Sequence, residues 1–390
     1  MTQQDFADPL FAANPYPVYA EWQAEGPIRR VSMPRGFDAW LVTRYEDARK
    51  ALTDPRLSKA PRGPQSHAVD TAISRHMLAT DPPDHTRLRK LVAATFTTRR
   101  IEALRPRIEE ITDALLDAMS SHDRVDLIDA FAFPLPIQVI CELLGIPAED
   151  QDKFRSWSND IVSGSEVTGP ERMQSSMGSL IGYIRGLIEY RRGNLGDDLL
   201  SGLIAVRDSD DRLTENELTS MVFLLLIAGH ETTVNLIGNG TYLLLSDRDR
   251  WERLRADRGL LPGAIEEFLR YEGPVELSTG RVATEDFELA GQQIRAGDVV
   301  LVALAAANRD PARFDAPDEL RFDRPSNAHI GFGHGLHYCL GAPLARLEAV
   351  IAFDKLLDRF PDLRLAVPPS ELSWRPGLLL RGLHDLPVTL

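Results

Sequence analysis

The chain has 390 residues and a formal net charge of −14 at pH 7, with 43% hydrophobic and 26% charged residues. These values are typical of a soluble globular protein with a large core, and the acidic balance argues against nucleic acid as a partner. The two cysteines, Cys141 and Cys339, cannot make a disulfide framework, which predicts a reducing, cytoplasmic location.

The chain shows no linker or repeat, so we expect residues 1–390 to form a single domain. Neither a signal peptide nor a membrane anchor is expected. Residues 1–6 are polar, and the longest apolar run, Met221 to Gly229, is too short to cross a bilayer. The pattern predicts a fold that is mainly α with a small, mostly antiparallel β lobe.

In chain order, the sequence predicts helices interrupted by one strand-rich region. Thr214 and Glu217 form a capping box that begins the longest helix, which should run to about Leu245 and be about 50 Å long. Ala-Gly turns separate the strand-like segments. The first predicted strand covers residues 39–42. The predicted helices are one capped by Asp84, then those at 107–119, 171–192 and 214–245, and one from Pro262 to Gly273. The remaining predicted strands are at 287–289, 293–295 and 299–302.

The most informative segment is the glycine-rich run from Gly331 to Gly341, which ends in Cys339 just before a predicted helix. The positive end of a helix and its free amides favour a thiolate over a thiol. The glycines allow the backbone to come close to something flat and bulky, and Phe332 offers an aromatic face. This arrangement favours Cys339 as the axial ligand of a haem iron.

Three other interpretations explain this run less well. An inert buried thiol would leave the glycines unexplained. A zinc site formed by His334, His337 and Cys339 lacks a second cluster and the usual spacing. A phosphate-binding loop lacks the lysine and the hydroxyl residue at the required offset.

The loop resembles that of the cytochrome P450 superfamily, whose pattern Phe-x-x-Gly-x-x-x-Cys-x-Gly is matched at Phe332, Gly335, Cys339 and Gly341. The resemblance spans nearly the whole chain. It implies the cytochrome P450 fold, haem b with an axial cysteine thiolate, and a monooxygenase that inserts one oxygen atom from O₂ into a substrate. The chain is most similar to soluble actinobacterial enzymes of secondary metabolism that hydroxylate macrolides, other polyketides or steroids.

The middle of the longest helix carries Ala228-Gly229-His230-Glu231-Thr232, and polar residues there need a reason. The Thr232 hydroxyl is expected to bond the Ala228 carbonyl and to interrupt the helix. The segment is similar to the acid–alcohol pair of the family, with Glu231 as the acid and Thr232 as the alcohol that deliver protons during O₂ cleavage. His230 is predicted to point elsewhere and to be structural.

The resemblance also assigns binding and structural roles. Cationic side chains would neutralise the haem propionates, because an unpaired buried charge is costly. A buried network formed by Glu267, Arg270 and Arg324 would hold the cysteine loop. The propionate ligands are His85, Arg89, Arg281 and His337, and the expected substrate contacts are Leu224, Ala228, Gly229, Leu277 and Leu379. The loop from Ala60 to His76 is expected to be a lid over a large cavity.

The primary hypothesis is therefore a monomeric monooxygenase acting on a bulky lipophilic small molecule. Electrons would come from a ferredoxin and a ferredoxin reductase that dock on a basic surface formed by Arg87, Lys90, Arg99, Arg100 and Arg346. Two alternatives stay open. One is a peroxide-driven haem-thiolate peroxygenase or isomerase, and the other is a non-catalytic haem sensor.

Overall fold

The computed structural model describes residue 6 and residues 9–33, 36–60, 71–162, 168–207 and 213–390. The chain divides into two compact units, which are described separately. Unit 1 comprises Met1–Lys59, Thr112–Ala132 and Thr232–Leu390, and unit 2 comprises Ala60–Ile111 and Phe133–Glu231. Residues 61–70 of the predicted lid lie outside the described residues.

Helices dominate the described part of the chain, as predicted. They are α1 (Pro9–Ala13), α2 (Tyr16–Glu25), α3 (Tyr45–Thr53), α4 (Thr71–Ser74), α5 (Asp84–Thr95), α6 (Thr98–Ala103), α7 (Arg105–Met119), α8 (Pro134–Leu144), α9 (Gln151–Val162), α10 (Pro170–Gly193), α11 (Leu199–Arg207), α12 (Glu215–Leu245), α13 (Arg248–Ala256), α14 (Leu261–Tyr271), α15 (Leu304–Ala307) and α16 (Ala342–Arg359). Short turns of 3₁₀ helix lie at Met77–Ala79, Ala148–Asp150, Arg258–Leu260, Gly335–His337 and Pro369–Glu371, and a π-helical turn lies at Ile128–Ala132.

The capping box of α12 is confirmed. The Thr214 amide donates to Glu217 Oε2 at 2.7 Å, and the Glu217 amide donates to Thr214 Oγ1 at 3.2 Å. By length and composition α12 would suffice to cross a membrane, but 72% of its most apolar window is buried, as in a core helix. Its helix is continuous from Glu215 to Leu245, so the predicted interruption at residues 228–233 is wrong. Asp84 was predicted as a cap but is the first helical residue of α5, after Pro83.

The strands are short and mostly antiparallel, as predicted. They are β1 (Ile28–Ser32), β2 (Asp38–Val42), β3 (Leu57–Ser58), β4 (Arg124–Asp126), β5 (Arg281–Ala283), β6 (Phe287–Leu289), β7 (Gln292–Ile294), β8 (Val299–Val302), β9 (Arg364–Leu365) and β10 (Pro387–Thr389). Unit 1 contains a five-stranded sheet in the order β1-β2-β8-β5-β3, a three-stranded sheet β4-β10-β9 and the hairpin β6-β7. Within the five-stranded sheet only β2 and β8 are parallel, with Ala39 opposite Val299.

The core of unit 1 has two hydrophobic clusters, one against each face of the five-stranded sheet. Leu41 of β2 contributes to one cluster and Val42 to the other, because neighbouring strand residues point to opposite faces. The hairpin turns at Ala290 and Gly291, both with positive φ (51° and 81°), which suits a two-residue connection. The two clusters include Ala283 of β5, Leu277 after α14 and Ile330 just before the cysteine loop, so these three segments share the core of one unit.

Candidate active site

The cysteine loop presents its sulfur openly in unit 1. The Cys339 amide donates to the Phe332 carbonyl at 2.9 Å, which closes the loop, and the residue itself is exposed. Gly335 has a φ of +73°, and a Cβ there would lie 2.6 Å from Thr53 Cγ2, so only glycine fits. Three residues after the cysteine, α16 begins with a proline in its first turn, as predicted.

Glu267, Arg270 and Arg324 come together as a buried network beside this loop. Arg270 donates to both oxygens of Glu267 at 2.7 and 2.8 Å, and Arg324 donates to Glu267 Oε2 at 3.2 Å. Burial by itself would raise the pKa of Glu267, but the hydrogen bonds and charge of Arg270, with further donors including Arg324, hold it below its ordinary value. Asn327 also donates to Glu267, at 2.9 Å, which ties the network to the start of the loop segment.

A second anchor, missed by sequence reasoning, holds the other end of the loop. Arg346 of α16 donates to both oxygens of Glu266, at 2.6 and 2.8 Å, and His329 lies 3.0 Å from Glu266 Oε2. Burial opposes ionisation of Glu266, but the hydrogen bonds of Arg346 and His329 lower its pKa from 4.5 to about 2. The Arg346 guanidinium also lies 4.5 Å from the centre of the Phe332 ring.

The middle of α12 has one open face on an otherwise buried helix. Ala228 is exposed, and Leu224, Gly229 and Thr232 are partly exposed, whereas His230, Glu231 and Thr233 are buried. Leu224, Ala228 and Thr232 are four residues apart, so their side chains share one side of the helix. Apolar and small side chains on this face would suit contact with a lipophilic ligand.

His230, predicted to be structural, is close to the proposed acid. Its Nε2 lies 3.6 Å from Glu231 Oε1 and 2.8 Å from the hydroxyl of Ser158 in α9, within unit 2. Sequence reasoning could not find this pair, because Ser158 is 72 residues away.

The predicted propionate ligands belong to both units. In unit 2, His85 and Arg89 are four residues apart on α5, and burial, with the Arg89 charge, lowers the pKa of His85. In unit 1, Arg281 is buried in β5 and His337 lies in the 3₁₀ turn before Cys339. The structure therefore brings Arg281, His337 and Cys339 into the same unit.

Two predicted substrate residues lie on paired segments. The Glu276 amide donates to the Leu379 carbonyl at 3.0 Å and the Leu277 amide to the Leu378 carbonyl at 3.1 Å. Leu277 is buried in a core cluster with Tyr19, whereas Leu379 is 46% exposed. Of the two, only Leu379 has a side chain that is open for contact.

Behind these segments lies a buried cluster of ionisable groups that the sequence did not reveal. The Tyr16 hydroxyl donates to Glu272 at 2.8 Å and the Tyr19 hydroxyl to Glu276 at 2.6 Å, while Arg381 donates to Glu272 and lies 4.0 Å from Glu276. Burial, although opposed by Arg381 and by the Tyr19 hydrogen bond, raises the pKa of Glu276 from 4.5 to about 7.

The donor set fits a haem rather than a metal ion held by protein ligands alone. Within the described ranges there is no group of three or more His, Cys, Asp or Glu side chains that could hold a metal ion. One exposed thiol at a tight glycine loop, with a cationic side chain on β5 and an imidazole two residues before the thiol, fits a flat macrocycle bearing carboxylates. Cys141, in contrast, is buried, which raises the pKa of its thiol to about 12.

Comparisons with known proteins identify the family of this chain. The Cytochrome P450 family model matches residues 167–380. The cytochrome P450 monooxygenase PikC of Streptomyces venezuelae is 53% identical over 385 residues, covering 97% of this chain and 91% of PikC. The 6-deoxyerythronolide B hydroxylase of Saccharopolyspora erythraea is 45% identical over 405 residues, covering 100% of this chain and 99% of that protein.

A solved structure, that of the tirandamycin C-bound P450 monooxygenase TamI, superposes with a TM-score of 0.91 at 53% identity, covering 98% of this chain and 99% of that chain. This likeness extends well beyond the cysteine loop, since it covers nearly the full length of both chains. The chain therefore belongs to the cytochrome P450 family and is a haem-thiolate monooxygenase.

Proposed function

We propose that this enzyme hydroxylates a bulky lipophilic natural product, such as a macrolide, another polyketide or a steroid-like compound. The observation that carries the proposal is the open face of α12, where Leu224 offers an apolar side chain and Ala228 a small one. The small side chain of Ala228 leaves room for a large ring system, whereas a Cβ at Gly229 would lie 3.1 Å from Ile140 Cδ1, so that position faces the protein interior. Among the similar proteins, one is named for hydroxylation of 6-deoxyerythronolide B, and one holds tirandamycin C.

A spectral titration tests this substrate class. A substrate that displaces the water ligand shifts the haem to high spin, so macrolides, steroids and monoterpenes can be ranked by affinity. Ala228→Leu, which fills the open face of α12, should weaken binding of the large ligands more than that of monoterpenes. Tight shifts from monoterpenes alone would contradict the proposal.

In the proposed site, the Cys339 thiolate would hold the haem iron, and His85, Arg89, Arg281 and His337 would bind the propionates. Haem b, when bound, would supply the cleavage of O₂, which an electron-donating thiolate such as that of Cys339 favours. The test is the spectrum of the reduced, carbon monoxide-bound protein. Its thiolate-type Soret band should be lost in Cys339→Ser, and an unaltered band would refute the assignment.

Glu231 and Thr232 are proposed to move the protons that this cleavage consumes. Glu231 is a buried carboxyl, and the next residue in the chain, Thr232, is partly exposed. A carboxyl that supplies protons to a hydroxyl can act as a general acid relay. Thr232→Ala should divert reducing equivalents to hydrogen peroxide, and Glu231→Gln should slow turnover. Full coupling in both variants would show that protons enter elsewhere.

Electrons are proposed to come from a ferredoxin and its reductase, with docking through a basic surface. Three of the predicted cations already form ion pairs within the chain, so their charge is partly neutralised before an acidic partner docks. The pairs are Arg87 with Glu217, Arg346 with Glu266 and Arg100 with Asp197. Lys90 and Arg99 are exposed and form no ion pair among the described residues. These two cations are therefore the stronger docking candidates.

Charge reversal tests the docking proposal. Lys90→Glu with Arg99→Glu should slow electron transfer from ferredoxin and reduce its dependence on salt. Arg185→Glu, at an exposed cation on α10, is the control with the same sign of charge change. Equal rates in the parent, the double variant and the control would contradict the proposal.

We further propose that the chain acts as a single cytoplasmic domain and as a monomer.

A further inference from the structure

His230 is buried in the middle of α12 with a polar group on each side of its ring. Its Nδ1 lies 2.6 Å from the Leu226 carbonyl, its Nε2 lies 2.8 Å from Ser158 Oγ, and the same Nε2 lies 3.6 Å from Glu231 Oε1. The side chains of His230 and Glu231 are each 1% exposed. A histidine with no further role would need only the first two contacts.

The Leu226 contact fixes the tautomer. A carbonyl oxygen only accepts, so Nδ1 carries a hydrogen and donates it to Leu226. In the neutral ring Nε2 is then an acceptor, and the Ser158 hydroxyl donates to it. In the charged ring Nε2 is a donor that can be shared between Ser158 Oγ and Glu231 Oε1. Both states of His230 therefore have partners, and they differ by one proton at Nε2.

The surroundings keep the ring in this orientation. The Phe133 ring stands edge-on to the imidazole with 5.7 Å between centres, and the Arg155 guanidinium covers Phe133 at 4.7 Å. On α9, Asp160 is the nearest carboxylate in sequence to Ser158, and its Oδ1 forms an ion pair with Arg172 Nε at 2.9 Å. Glu231 is thus a carboxylate within 4 Å of Nε2.

We propose that His230, held by Ser158, is a positioning residue that keeps Glu231 supplied with its proton. After Glu231 has passed a proton to the Thr232 hydroxyl, the charged ring transfers its Nε2 proton to Glu231 Oε1. The ring becomes neutral, and the Ser158 hydroxyl turns to donate to Nε2. Bulk water supplies the proton that recharges the ring. The inference rests on the proposed role of Glu231 as the acid of the relay.

Three variants separate the proton role from a packing role. His230→Asn keeps an amide that can donate to Leu226 but cannot be charged, and Ser158→Ala leaves the imidazole in place. Each should lower product formed per reducing equivalent, roughly tenfold for His230→Asn, and raise hydrogen peroxide and the solvent isotope effect. Thr241→Val is the control, because Thr241 is a buried hydroxyl residue on the same helix whose hydroxyl donates to the Ile237 carbonyl of that helix.

A readout independent of turnover is the infrared band of the protonated Glu231 carboxyl, identified by its loss in Glu231→Gln. Without an imidazole beside it that can carry a positive charge, the carboxyl should stay protonated to higher pH in His230→Asn than in the parent. A histidine that only packs would leave this titration unchanged. The carbon monoxide spectrum and haem content should equal those of the parent in every variant.

The outcomes distinguish the inference from the proposed function. If Glu231→Gln keeps full rate and coupling, the role of Glu231 fails and the inference fails with it. If Glu231→Gln is impaired while His230→Asn and Ser158→Ala keep parental coupling and infrared titration, only the inference is overturned. Should His230→Asn not bind haem, Ser158→Ala decides by the same two measurements.

Discussion

Replacing Glu348 with glutamine should flatten the dependence of this protein's stability on pH. Glu348 lies in α16, is 1% exposed, and its Oε2 has no hydrogen-bond partner among the described residues. Burial raises the pKa of its carboxyl from 4.5 to about 8. A lone carboxyl held neutral in this way differs from Glu266 and Glu267, whose arginine partners keep them ionised.

The magnitude follows from proton linkage. Below pH 4.5 the carboxyl is protonated in both the folded and the unfolded chain, so it contributes no pH dependence. Between pH 4.5 and about 8 only the unfolded chain loses the proton, and stability falls by about 1.4 kcal/mol per pH unit, to a total of roughly 5 kcal/mol. Glutamine has the same shape and no proton to lose, although its buried amide costs about 1–3 kcal/mol at every pH.

The assay is guanidinium unfolding of the holoenzyme at about pH 5.5 and about pH 8, followed by circular dichroism and by the Soret band. The stability of Glu348→Gln relative to the parent should rise by roughly 3 kcal/mol between the two pH values. Glu371→Gln, at an exposed carboxyl, is the matched control and should show no such rise. Parallel pH curves for the parent and Glu348→Gln would refute the reasoning.

Three further predictions concern two glycines, a buried ion pair and a buried carboxyl. Gly335→Ala places a methyl group 2.6 Å from Thr53 Cγ2 at a residue with positive φ, so this variant should release haem more readily. Gly182→Ala, where the added methyl group meets open space on α10, should instead stabilise the chain by about 1 kcal/mol in thermal melts. Arg270→Met leaves a buried carboxylate short of its closest cation, so unfolding free energy should drop by about 3–5 kcal/mol, and a drop below about 1 kcal/mol would contradict this. Glu276→Gln should remove a fall in stability between pH 4.5 and about 7, because burial raises the pKa of that carboxyl, and unfolding at several pH values would measure it.

The elements predicted well from sequence have causes that lie within a few residues. The capping box at Thr214 and Glu217 needs only a three-residue spacing, and the structure forms both of its hydrogen bonds. The hairpin at Ala290-Gly291 follows from a two-residue turn flanked by strand formers. The glycine loop before Cys339 is similarly local, since its closing bond joins Phe332 and Cys339.

The features that sequence reasoning missed or misread depend on partners far along the chain. Arg346 looked like a free surface cation, but it is held by Glu266, 80 residues away. Arg381 meets Glu272 across 109 residues, in a cluster that no periodicity marks. For both arginines, tertiary packing supplies what a local pattern cannot specify. The helix around Thr232 differs from the expectation for another reason: a threonine four residues after Ala228 was predicted to interrupt it, yet the helix is continuous.

The two neighbouring carboxylates of α14 explain how a glycine-rich loop can hold a sulfur in one place. Successive helix residues point about 100° apart, so Glu266 and Glu267 face different neighbours. Glu267 binds Arg324 and Asn327 before the loop, and Glu266 binds His329 and, after the loop, Arg346. The loop is thus tied at both ends to one rigid helix, and glycine is free to shape the span between them. The glycines that identify the loop in the sequence give it its turn, but its position is set by charges that the sequence places some 60 to 80 residues earlier.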